Sequence, residues 1–276
     1  MGTTRLPLTT RTREEGPPLS YRAFVPSRCN GHPPLVIVHG NSRRATRQFR
    51  SFLPAAIARG VALIAPTFPA GRFSGYQSLA GSDGPFAARQ ALLDTLEDAS
   101  RHLHVPTDVV DMVGYSGGAQ FAHRFAMHSP GRLGRVVLAA AGWYTYLDEG
   151  RPYPYGITPG PRSDSRPVDV DAFLRIPVHV VVGERDTERT DGLRVSPAID
   201  RRQGPNRLIR ALRWMDHVED TAQRRNLPPQ VSFDLLLDSG HSFDEAVRRG
   251  LLVERTFDFL HRPDPIRPAT VQGAVT

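Results

Sequence analysis

From residue 35 onward, short apolar runs alternate with longer amphipathic stretches, and this rhythm limits the fold more than any other property of the sequence. "PPLVIVHG", "VALIAP", "DVVDMVGYS", "GRVVLAAAGW", "IPVHVVVGE" and "QVSFDLLLDS" are short and nearly continuously apolar, as strands buried on both faces are. "LSYRAFV" reads as an earlier strand. Between them lie stretches of helical periodicity: "TRQFRSFLPAAIARG", which stops at Gly60, "PFAARQALLDTLEDASRHLHV", with Pro at its first turn, "GGAQFAHRFAMHSP", "PNRLIRALRWMDHVEDTAQRRN" and "SFDEAVRRGLLVERTFDFLHR". This order predicts an α/β fold, a mostly parallel sheet with helices on both faces.

One sheet accommodates all these strands, so residues 1–262 are expected to form a single domain and residues 263–276 a disordered tail. Residues 143–171 are rich in Pro, Gly and Tyr and too long for an ordinary connection, which predicts a lid or an insertion. No apolar run approaches the ~20 residues of a spanning helix, and the start has no apolar h-region. A cytoplasmic protein without membrane contact is expected. The single cysteine, Cys29, excludes an intramolecular disulfide and makes neither a zinc site nor a redox pair. No metal or cofactor is implied.

A net charge of +7 and a pI near 10.2 permit anionic partners. All 35 basic residues are Arg, however, which fits the codon composition of a GC-rich genome, and no long basic block occurs. With no matching motif, nucleic acid is not an expected partner.

Gly114-Tyr115-Ser116-Gly117-Gly118 satisfies G-x-S-x-G after an apolar run and before a helical one. A nucleophile thrust from a sharp strand-to-helix turn leaves no room for side chains two residues on either side, and the helix start stabilises developing negative charge. A serine hydroxyl needs a general base, and the base needs an orienting acid. On this architecture they follow in the order Ser, acid, His at strand ends. Asp186 in "VHVVVGERDTERTD" and His241 in "LLLDSGHSFDEA" meet that order, with Glu184 and Asp191 as rival acids.

The oxyanion hole requires two backbone N–H donors. Gly117 supplies one, and the loop after "LVIVHG" supplies the other through Asn41, with Ser42 as the alternative; His39 is expected to bond within that loop. Trp143, Tyr144 and Tyr146, with Tyr153 and Tyr155, are candidates for a substrate pocket because they follow a strand end. Residues 72–86 are a candidate opposite wall.

These residues together resemble the α/β-hydrolase fold over nearly the whole chain: the "HG" loop, the elbow around Ser116, "GERD" and "SGHSF". Within it, "GYSGGAQFAHRFA" followed by "VVLAAAGWYT" is similar to bacterial esterases of the polyhydroxybutyrate-depolymerase and feruloyl-esterase-like group. The resemblance implies hydrolysis of a small-molecule carboxylic ester through an acyl-enzyme on Ser116. Peptidases and acyltransferases share this triad, and a ligand-binding protein on the same scaffold is the competing non-enzymatic reading.

Overall fold

A computed structural model describes residues 8–12, 14, 16, 18–160, 167–189 and 192–263. The expected tail, from residue 264 on, and Asp191 lie outside the described residues, as do residues 161–166 of the Pro/Gly/Tyr segment. The strands are β1 (Leu8–Arg11), β2 (Ser20–Phe24), β3 (Leu35–Val38), β4 (Leu63–Thr67), β5 (Val110–Tyr115), β6 (Leu133–Ala139), β7 (Val178–Gly183) and β8 (Val231–Leu236). All eight join one sheet in the order β1-β2-β4-β3-β5-β6-β7-β8. β1 and β2 run antiparallel at one edge, and every pairing from β4 to β8 is parallel.

Alternate residues of the central strands feed two separate cores. Val36 and Val38 of β3 face one and Leu35 and Ile37 the other; in β6, Val136 and Leu138 oppose Val137 and Ala139. The first core is closed by α2 (Ala87–Leu103), α3 (Gly117–His128), α4 (Val170–Leu174) and α6 (Arg207–Arg224), the second by α1 (Ala45–Arg59), α7 (Phe243–Arg248) and α8 (Leu252–Leu260). A further short helix, α5 (Pro197–Gln203), precedes α6. Burying both faces is why the strands read as continuous apolar runs. Among the described residues, no helix is long and apolar enough to cross a membrane.

Two elements differ from the periodicity. α2 starts at Ala87, with Phe86 in the left-handed region at φ 64°, so Pro85 precedes the helix rather than forming its first turn. The last amphipathic stretch is two helices, broken where Leu251 takes φ 54°. Gly60 ends α1 as expected, at φ 65°, its N–H directed to Ala56 and Ile57 carbonyls.

The chain leaves β3 toward β4 on one side and returns to β5 on the other, so the strand order reverses between β3 and β5. The crevice outside the carboxyl ends at such a reversal is where open parallel sheets place their sites.

Candidate active site

Ser116 follows β5 at φ 55° and ψ −111°, a conformation that costs a non-glycine residue about 1–3 kcal/mol. Its N–H donates to Ala139 O at 2.7 Å, anchoring the turn to β6. The flanking glycines are required by close approach: a Cβ on Gly114 would strike the Gly118 carbonyl, and one on Gly118 would strike the Val38 carbonyl. The elbow therefore packs directly on its own helix and on β3.

The loops after β7 and β8 are tied to each other. Glu184 N donates to Leu236 O at 3.0 Å and Arg185 N to Ser239 O at 2.9 Å, while Asp186 N turns back to Gly183 O at 3.0 Å. Ser242 caps α7, and Glu245 accepts from Gly240 N at 3.0 Å, closing the loop that carries His241. With both loops fixed, Asp186 Oδ2 accepts from His241 Nδ1 at 2.8 Å, and His241 Nε2 accepts from the Ser116 hydroxyl at 3.1 Å. Tyr115 stacks on the imidazole with ring centroids 5.7 Å apart. Burial, reinforced by Asp186, pushes the Tyr115 phenol upward, so that ring stays neutral beside the histidine. Glu184 is exposed and accepts from Asp238 N at 3.2 Å, away from His241.

The first N–H groups of a helix have no intrahelical acceptor, and Gly117 is the first residue of α3. Asn41, Tyr76 and Gln77 crowd over its Cα, and Gln77 Nε2 donates to Asn41 Oδ1. Asn41 and Ser42 both wall the cavity at the nucleophile, about 350 Å³ in volume, together with Arg44, Phe243 and Asp244. His39 is buried behind this loop: its Nδ1 donates to Gly40 O at 2.8 Å, and its Nε2 accepts from Phe68 N at 3.0 Å. Burial pushes this imidazole down to about 4. A neutral ring held at both nitrogens shapes the loop and has no proton acceptor to offer.

No protein-family model matches the sequence, and no curated protein does. Solved structures match closely in shape. Poly(aspartic acid) hydrolase-1 from Sphingomonas sp. KT-1 has a TM-score of 0.73 at 22% identity, over 87% of this chain and 93% of that one. LpqC, a poly(3-hydroxybutyrate) depolymerase from Bordetella parapertussis, has a TM-score of 0.73 at 23% identity, over 92% of this chain and 88% of that one. The chain has the α/β-hydrolase fold. An S-formylglutathione hydrolase from Agrobacterium tumefaciens is a more distant likeness, with a TM-score of 0.56 at 12% identity over 92% of this chain and 94% of that one.

Within this α/β-hydrolase fold the expected pocket aromatics pack against the body. Trp143, Tyr144 and Tyr146 are buried and absent from the wall of the Ser116 cavity. Tyr144 stacks on Trp214 with centroids 4.8 Å apart, and Gln203 brackets its backbone from both sides at 2.9 Å. Tyr146 packs against His217, and Trp143 lies over the buried Arg124 guanidinium at 4.1 Å. The described part of the Pro/Gly/Tyr segment is docked onto the body, with Tyr153 OH donating to Ser78 O at 2.9 Å and Trp214 Nε1 to Thr145 O at 2.9 Å. None of residues 72–86, the expected opposite wall, lines the Ser116 cavity; Gln77 stands behind it, donating to Asn41 Oδ1. Arg72 turns away from the cavity to Asp83, donating through Nε at 2.9 Å.

Arg207 is a neighbour of the site that sequence reasoning missed: at the start of α6 it donates to Asp186 Oδ1 at 3.0 Å. The signal was present, because Arg207 and Arg210 fall on the stripe of α6 that also carries Ala211, Trp214 and Val218. A cation on an apolar stripe needs a buried partner.

Proposed function

We propose that this protein is a serine hydrolase that cleaves carboxylic esters by acyl transfer to Ser116. The observation that carries the proposal is the continuous chain from the Ser116 hydroxyl through His241 to Asp186, at 3.1 and 2.8 Å, on a strained elbow that opens into a cavity. The likeness in shape to hydrolases of poly(aspartic acid) and poly(3-hydroxybutyrate) supports it.

In this mechanism Ser116 Oγ attacks the ester carbonyl carbon while His241 Nε2 takes the hydroxyl proton. Asp186 holds Nδ1–H and balances the imidazolium charge. The carbonyl electron pair moves to oxygen, where the N–H groups of Gly117 and Asn41 donate to it; fixed dipoles of this kind stabilise charge that exists only in the transition state. Collapse expels the alkoxide, which leaves as the alcohol with the proton from His241. Water then attacks the acyl-enzyme by the same route and releases the acid. The steps use no metal or cofactor.

The test is turnover of p-nitrophenyl esters of graded acyl length by the wild type and by Ser116→Ala. The wild type hydrolyses them, and the variant loses about 10⁶-fold in kcat, as nucleophile deletions do in serine hydrolases. Equal turnover by the variant would contradict the assignment.

A further inference from the structure

The cavity at Ser116 adjoins a second one. Arg44 and Arg47 wall both, and the second, about 580 Å³, runs along the first half of α1. Its wall holds four arginines, three hydroxyl residues and no carboxylate. Two of the arginines are engaged: Arg43 donates to the Phe68 and Phe73 carbonyls, and Arg47 pairs with Asp244. Arg44 and Arg50 are exposed, and their side chains have no hydrogen-bond or ion-pair partner among the described residues. α1 has neither an acidic residue in its first turn nor a side-chain cap. Cations thus gather where the helix dipole already presents positive charge, an arrangement that repels itself until an anion arrives.

We propose that this groove selects the substrate: the acyl portion of the ester, extending from Ser116 along α1, carries a carboxylate that Arg44 binds, with Arg50 meeting a further carboxylate on a longer chain. The inference rests on the acyl-hydrolase reading above. Guanidinium groups pair with carboxylates through parallel N–H donors, with specificity as well as charge. Spacing favours singly charged groups along a chain over one multiply charged group. Arg50 lies six positions after Arg44, about 9 Å along a helix axis, so the two do not converge on a single point. The field of the groove also concentrates anionic esters at the nucleophile, an effect that salt removes.

The experiment compares mono-p-nitrophenyl glutarate with p-nitrophenyl pentanoate, which share a five-carbon acyl chain and differ in the terminal carboxylate. The expected kcat/KM ratio favours glutarate at low ionic strength and collapses in 0.3 M salt. Arg44→Glu lowers the ratio by roughly tenfold or more, the loss expected when a charge-assisted pair becomes a repulsion. Arg101→Glu, on α2 at the opposite face of the sheet, makes the same change in net charge and leaves the ratio in place. A wild-type ratio at or below one, or a ratio that Arg44→Glu does not move, overturns the proposal. Turnover of neither ester contradicts the hydrolase reading instead. The groove is then judged by calorimetric titration with tricarballylate: binding lost in Arg44→Glu supports it, and no binding to wild type overturns it.

Discussion

Arg207 Nη1 and Asp186 Oδ1 are 3.0 Å apart, and the two side chains are 0% and 1% exposed. The carboxylate that orients His241 is therefore held from behind by a cation that solvent does not reach. One oxygen of Asp186 faces the histidine and the other faces the arginine. Its rotation is fixed by two hydrogen-bonded partners rather than by packing alone.

Replacing Arg207 by Met leaves Asp186 buried without that cation. Breaking a buried pair from one side costs about 3–5 kcal/mol. Urea denaturation of Arg207→Met should show a loss of that order, together with a fall in kcat larger than any change in KM. Arg207→Lys restores the charge without the fork and should recover most of the stability but less of the activity. An unaltered midpoint for Arg207→Met would contradict the role given to the pair.

Asn41 and Gln77 should behave as one unit. The Gln77 amide holds the Asn41 side chain, which fixes the loop proposed above to supply an oxyanion N–H. Losing one oxyanion donor costs about 10²–10³ in kcat, and loosening one costs part of that. Asn41→Ala and Gln77→Leu should each lower kcat with KM nearly unchanged. The double variant should be no worse than the worse single one, because both remove the same contact. Multiplying losses would show that they act separately.

Tyr144→Phe should stabilise the protein. The Tyr144 hydroxyl is buried with no hydrogen-bond partner among the described residues, and removing an unsatisfied polar group recovers about 1–3 kcal/mol. A raised Tm with unchanged KM is the expected result. A raised KM would return this ring to the substrate pocket that the sequence suggested.

Stability should fall in mild acid before most carboxylates titrate. His123 is fully buried, its Nδ1 donating to Ala119 O and its Nε2 accepting from Thr145 N, each at 3.0 Å. Burial, aided by Arg124, pushes this imidazole well below its ordinary value, and burial pushes His39 to about 4. In the unfolded chain both titrate near ~6.5, so the unfolded state takes up protons first as the pH drops. Stability is therefore full above that value and is lost below it, by up to about 1.4 kcal/mol per pH unit for each imidazole, with the His39 share ending near its folded value. Urea midpoints at pH 7.5 and 5.5 measure this, and His123→Gln should reduce the difference. Equal midpoints for wild type at the two values would contradict it.

The sequence disclosed whatever depends on local signatures. Ser116 was legible because the elbow forces glycine at positions 114 and 118, where the chain passes within contact distance of α3 and β3. The turns that carry Asp186 and His241 were legible because apolar residues lead into each turn and the turns are short. β1 was not, since "LTTR" contains one apolar residue and pairs with β2 alone at the sheet edge. The packing of Trp143, Tyr144 and Tyr146 was not legible, for a different reason. A strand end locates a segment near the site, but not which way its side chains point, and here α6 supplies Trp214 and His217 as their partners. Arg207 was hidden because the contact joins two segments 21 residues apart, although its place on an apolar stripe announced a buried charge.

The most direct test of the account is covalent labelling of the pure protein with a fluorophosphonate probe, followed by mass spectrometry of the labelled peptide. An activated nucleophile predicts a single adduct at Ser116 that forms at neutral pH and is lost in His241→Ala. Folded wild-type protein that takes no label, or takes it at another serine, would contradict the central claim.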